Sequence, residues 1–226
     1  MKKIKQIVTI FATLALAVTA GLSFAGTKTK AAGSDEFTRT AIEIAADMGY
    51  GWNLGNTMEA TNTWTSNPKV TDFETAWGQP VTTKDMIDGI KKAGFNSIRI
   101  PVSWSNMMSS DGNYTIDASY FKRVDEIISY AFANDMYVII NDHYDGGWWE
   151  HFCGNKRDCM KHYKSMWTQV AEHYKDYSEK LIFESANEEL GDSLKKSLSK
   201  IDVNISDTAL YNLVNEINQT FVDIVR

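Results

Sequence analysis

Apolar positions between residues 50 and 226 fall into two alternating patterns. Short runs at residues 50–54, 97–100, 137–141 and 181–183 are apolar on both faces, as buried parallel strands are. Between them the apolar residues recur at three-to-four spacing. Met86, Ile87 and Ile90 form one such stripe, with Thr82 or Thr83 in front to cap it and Gly94 behind to stop it. Phe121, Val124, Ile127, Ile128 and Ala131 form the next. Tyr163, Met166, Trp167, Val170 and Tyr174 form a third, and Leu210, Leu213, Val214, Ile217, Phe221 and Ile224 a fourth.

The four strands start about 40 to 47 residues apart. A strand, a crossover helix and a parallel strand repeated at that interval make the βα unit of a barrel or of a doubly wound sheet. Both are α/β folds, and both carry their chemistry in the loops after the strands' C-terminal ends. A glycine-rich phosphate loop is absent from the sequence, so the (β/α)8 TIM barrel is the expected architecture. A complete barrel is typically ~250 residues. Here the fourth helical stripe runs to Arg226, so only the first four βα units are expected in this chain.

The first 25 residues stand apart from this pattern. Lys2, Lys3 and Lys5 precede a mostly apolar run from residue 7 to 20, and Ser23 and Ala25 are small residues at the two positions a signal peptidase reads. The run is short for a bilayer span, which takes roughly 20 helical residues. A signal peptide at 1–25 is therefore expected, then a flexible tail at 26–33 and the barrel domain at 34–226. The protein is expected to be secreted, with no membrane association after cleavage. At 43% apolar and 12% aromatic residues the chain can fill a sizeable core. A net charge of -6, with no basic run beyond the signal, argues against a nucleic-acid partner. Cys153 and Cys159 are its only thiols, and export with that spacing makes a disulfide between them the expectation.

Chemistry concentrates at the strand ends. The strand at 181–183 runs toward Asn187, Glu188 and Glu189, and carboxylates at the end of a buried strand cost desolvation unless something uses them. Such a setting raises a carboxyl pKa and suits a proton donor; the alternative is a solvated loop. Arg99 lies inside an apolar strand and needs an anionic partner near the strand ends. Asn141, Asp142, His143 and Asp145 close the third strand. They could be read as a metal cluster, but the other histidines are scattered at 151, 162 and 173. A hydrogen-bonding His143 is favoured, with no metal and no cofactor. Trp148 and Trp149, with Trp64 and Trp77 in the loop after the first strand, offer rigid planes for sugar rings. Asn53 and Asn56 bring two amides that can bond hydroxyls.

The stretches GWNLGNTMEA (51–60), ETAWGQPVTTKDMIDGIKKAGFNSIRIPVSW (74–104), YVIINDHYDGGWW (137–149) and LIFESANEEL (181–190) together resemble glycoside hydrolase family 5, and within it the bacterial cellulase-type endoglucanases and xyloglucanases. The resemblance implies an eight-unit barrel that hydrolyses β-1,4-glucans (cellulose, mixed-linkage glucan or xyloglucan) with retention. It implies Glu188 as acid/base, Asn187 bonding the sugar 2-hydroxyl, Arg99 holding the nucleophile's carboxylate and His143 lining the cleft. Asn187 and Glu188 would point to opposite faces of a regular strand, so a twist or bulge is expected there. Two positions depart from the family. Glu189 stands where Pro is usual, and Tyr144 replaces the second residue of a His-His pair. The family's nucleophile follows strand seven, outside this chain, so the chain alone is expected to be inactive. A mannan-directed hydrolase and a non-catalytic glycan-binding remnant are the alternatives.

Overall fold

The structure, a computed structural model, describes residues 39–188 and 205–226. The signal peptide and tail expected at 1–33, and Glu189, lie outside the described residues.

Four strands, β1 (Gly51–Asn53), β2 (Ser97–Ile100), β3 (Tyr137–Asn141) and β4 (Leu181–Glu184), pair in parallel in the order β1-β2-β3-β4. Their register sets Asn53 beside Arg99, Arg99 beside Ile139 and Ile139 beside Ile182. One residue on, Asn141 lies beside Glu184. The alternate residues Ile98, Ile100, Val138 and Ile140 are buried in one core with residues from the helices.

Those helices follow the sequence stripes. α3 (Lys84–Lys92) begins at Thr83, whose side chain accepts from Met86 N, and stops before Gly94 at φ 100°. α4 (Ala118–Phe132) buries Phe121, Val124, Ile127, Ile128 and Ala131, as the spacing predicts. α5 (Lys156–Tyr174) and α6 (Asp207–Val225) pack on one another, with Trp167 edge-on to Phe221 at 4.7 Å. A fully buried Val, Ile or Phe contributes about 1.5–3 kcal/mol, against about 0–1 kcal/mol for an exposed ion pair. This helix-on-sheet layer therefore carries most of the stability.

Two further helices do not show in the apolar spacing. α1 (Ala41–Met48) buries no side chain. A reciprocal cap between Thr40 and Glu43 starts it, and Arg39 and Asp47 both hydrogen-bond the Tyr137 hydroxyl at the start of β3. α2 (Val70–Glu74) is a short helix in the long β1–α3 connection. It ends on Glu74, whose fully buried carboxylate meets Arg123 of α4 through two hydrogen bonds of 2.9 and 2.8 Å and accepts from Thr82 N at 2.7 Å. That connection is thereby pinned to the helix layer.

Candidate functional site

The polar residues gather where β1–β4 end. Arg99 donates from Nε and Nη2 to the two oxygens of Glu184, each at 2.7 Å, a fork-to-carboxylate pairing. Its Nη1 reaches Asn53 Oδ1 and its Nη2 also reaches Asn187 Oδ1, both at 3.0 Å. Burial alone would push the Glu184 carboxyl up, but the Arg99 guanidinium brings it below the usual range. The anionic partner required by an arginine in an apolar strand is Glu184. The same rule identifies Glu184, since it is a lone charge inside an equally apolar strand.

Asn141 is completely buried beside this pair. Its Oδ1 accepts from Val102 N at 3.2 Å. Its Nδ2 lies 3.3 Å from Glu184 Oε1 and 3.3 Å from His143 Nδ1. His143 is half-buried; burial and Arg99 push its imidazole below the ordinary value, while Glu184 and Glu188 pull the other way.

β4 ends at Glu184, and the chain then leaves the extended form, with Asn187 N donating to Asp142 O at 3.0 Å. The departure from strand alternation expected at Asn187 and Glu188 takes this form rather than that of a bulge within β4: the strand stops first. Glu188 is exposed, so the described residues do not supply the desolvation argued from its place after a buried strand.

The loop after β3 differs most from expectation. Residues 144–147 all have positive φ, 47° and 51° at Tyr144 and Asp145 and 72° and 77° at Gly146 and Gly147. Two non-glycine residues held there mark a loop fixed by its contacts. The clamp is Asp145, 1% exposed, which accepts from Ser105 N at 2.7 Å, Ser105 Oγ at 2.6 Å and Trp148 Nε1 at 2.6 Å. Burial pushes this carboxyl up, against those donors and a hydrogen bond with Asp142. Trp148 is tied inward by its indole and lies 4.2 Å from the His162 ring, and Trp149 is 1% exposed and packs on Phe152 and Tyr163. Neither is an open platform: Trp149 is a core side chain and Trp148 braces the loop. Exposed aromatics include Tyr144 and Trp77, whose rings lie 6.5 Å apart, and Trp64. Asn56 is exposed at φ 61°, its turn closed by the buried Glu59, which accepts from Asn56 N and Thr57 N.

Cys153 and Cys159 are free thiols, against the disulfide expected. Cys159 lies on the buried face of α5, its Sγ turned toward Trp148 O at 3.9 Å.

Parallel βα units in sequential order, with an Arg-carboxylate pair, amides and a histidine at their C-terminal ends, define part of a (β/α)8 barrel with its site on the usual face. Comparison with known proteins gives the same class. The family model for cellulase (glycosyl hydrolase family 5) matches residues 58–226. An endoglucanase A of Paenibacillus barcinonensis is 41% identical over 219 residues, covering 94% of this chain and 51% of that protein. Among solved structures, a family 5 lichenase from Caldicellulosiruptor sp. F32, a mutant in complex with cellotetraose, is 41% identical with a TM-score of 0.72, over 84% of this chain and 51% of that one. A family 5 xyloglucan-specific endo-β-1,4-glucanase from a metagenomic library, in complex with cellotriose, is 36% identical with a TM-score of 0.70, over 82% and 52%. The chain belongs to glycosyl hydrolase family 5. It spans about half the length of these relatives.

Proposed function

We propose that this chain is the acid/base-bearing part of an exported endo-β-1,4-glucanase that works with retention. The observation that carries the reading is the Arg99–Glu184 pair, which takes up Asn187 Oδ1 at 3.0 Å immediately before Glu188. With its oxygen engaged, the Asn187 amide has its NH2 left as a donor, the group needed for a sugar 2-hydroxyl. Glu188, exposed at the strand end, is the proton donor to the leaving glycosidic oxygen and later the base for water. A retaining pathway requires a second carboxylate about 5–5.5 Å away. Glu184 is committed to Arg99, so that second group is assigned to a later strand, and the 226-residue chain alone is expected to release no reducing ends. Tyr144 and Trp77 are assigned to sugar stacking, in place of Trp148 and Trp149. Export is inferred from residues 1–25, and the substrate class is a β-1,4-linked glucan, in keeping with the cello-oligosaccharides bound by the two solved relatives.

The test is hydrolysis of soluble β-glucan by the protein at its natural full length. Glu188→Gln should lower turnover by about 10²- to 10⁴-fold, the usual contribution of a general acid-base group. Glu189→Gln should retain most activity. Equal losses in the two variants, or undiminished turnover after Glu188→Gln, would remove the assignment. Binding of glucan without hydrolysis by the unaltered protein would favour a glycan-binding module instead.

A further inference from the structure

Asn141 makes hydrogen bonds that fix which of its terminal atoms is which. One terminal atom lies 3.2 Å from the Val102 backbone N–H, a group that can only donate, so that atom is the carbonyl oxygen. The other lies 3.3 Å from Glu184 Oε1, which already accepts from Arg99 and, as a carboxylate, can only accept; that atom is the amide nitrogen. The two arguments are independent and agree. An NH2 group has two protons. One serves Glu184, and the other faces His143 Nδ1 at 3.3 Å.

A nitrogen that faces a donor must itself accept. We infer that Asn141 is a positioning residue that sets the tautomer of His143, holding its proton on Nε2 so that this nitrogen is a standing hydrogen-bond donor. Nε2 has no hydrogen-bond partner among the described residues. The charged groups around the ring are Arg99, Glu184 and Glu188. In this state His143 presents an N–H to a hydroxyl oxygen and has no lone pair free to act as a base, which leaves proton transfer to Glu188. That functional consequence rests on the glucanase reading; the tautomer does not.

The experiment follows the imidazole nitrogens directly in the ¹⁵N-histidine-labelled protein, with no substrate present. The sequence has four histidines, and a His143→Gln variant assigns the signals of this one. Above neutral pH, His143 should show a protonated, pyrrole-type Nε2 and an unprotonated, pyridine-type Nδ1. Asn141→Asp replaces the donor facing Nδ1 with an acceptor. The proton should then move to Nδ1, Nε2 should become pyridine-type, and the titration midpoint of His143 should rise. In Asn141→Ala, Nδ1 should shift to the position of a pyridine-type nitrogen without a hydrogen bond. This second variant decides the matter if the introduced carboxylate disturbs folding. A protonated Nδ1 in the unaltered protein would overturn the inference, as would an unchanged Nδ1 signal in Asn141→Ala. So would a folded Asn141→Asp variant that keeps the original tautomer. Because the readout needs no turnover, it can fail while the glucanase reading stands, and the reverse.

Discussion

Arg123→Met tests whether the long β1–α3 connection is held by a buried charge pair. Glu74 is fully buried, and the Arg123 side chain is only 10% exposed. Four hydrogen bonds are lost with the guanidinium: Nε and Nη2 to Glu74, Nη2 to Thr82 O at 2.7 Å, and Nη1 to the half-exposed Glu126. Methionine fills the stem's volume, so the loss is polar rather than a cavity. Glu74 would keep only the Thr82 N–H as a partner within this triad, and breaking one side of a buried pair costs about 3–5 kcal/mol. An exposed pair would cost about 0–1 kcal/mol.

The measurement is urea unfolding followed by tryptophan fluorescence, in the unaltered chain, in Arg123→Met, in Glu74→Gln and in the double variant. Removing both charges takes away the uncompensated carboxylate while Gln still accepts from Thr82 N. The double variant should therefore be more stable than Arg123→Met by at least about 1 kcal/mol. Added salt should change little, because a buried pair is poorly screened. A cost below about 1 kcal/mol for Arg123→Met, or a double variant no better than that single one, would refute the reasoning.

Glu184 has a folded carboxyl below its ordinary value, so its contribution to stability is present above pH 4.5 and is lost as the pH falls through the folded value. Arg99→Met should remove that acid-side loss, seen as a flatter stability profile below pH 4.5. His162 lies between the rings of Tyr114 and Trp148, and burial lowers it to about 4 from 6.5. It contributes stability in full above pH 6.5 and loses it as the pH falls toward 4; His162→Phe should abolish that part of the slope, and an unchanged slope would show that the ring is not held neutral. Burial pushes Cys159 up to about 11 and Cys153 upward as well, so both should alkylate slowly in the folded protein at pH 7.5. Denaturation without reductant should then give two adducts by intact mass, and none would show a disulfide.

The inner strands β2 and β3 and the long helices were legible because each buries a continuous apolar stripe, and burial by a layer is what a one-dimensional pattern records; β1 forms at the expected place, but Gly51–Asn53 are exposed at the sheet edge rather than buried. α1 left no such trace because none of its residues is buried; in the structure it starts from the Thr40–Glu43 cap. Arg99 was legible as a lone charge in an apolar strand, and the same rule points to Glu184, the one charge in β4. The tryptophans show where the reasoning runs out. Trp77 and Trp149 both lie outside the strands and the long helices, each with a glycine close by in the sequence, yet one is 41% exposed and the other 1%. What separates them is a fixed loop of positive φ and the Asp145 clamp across from β2, contacts about 40 residues apart in the chain. Asn141 carries the argument furthest. Its type and its place at the end of β3 could be read from sequence, but its influence on His143 comes from facing one obligate donor and one obligate acceptor at once. That condition is set by three strands meeting, so it exists only after the fold does.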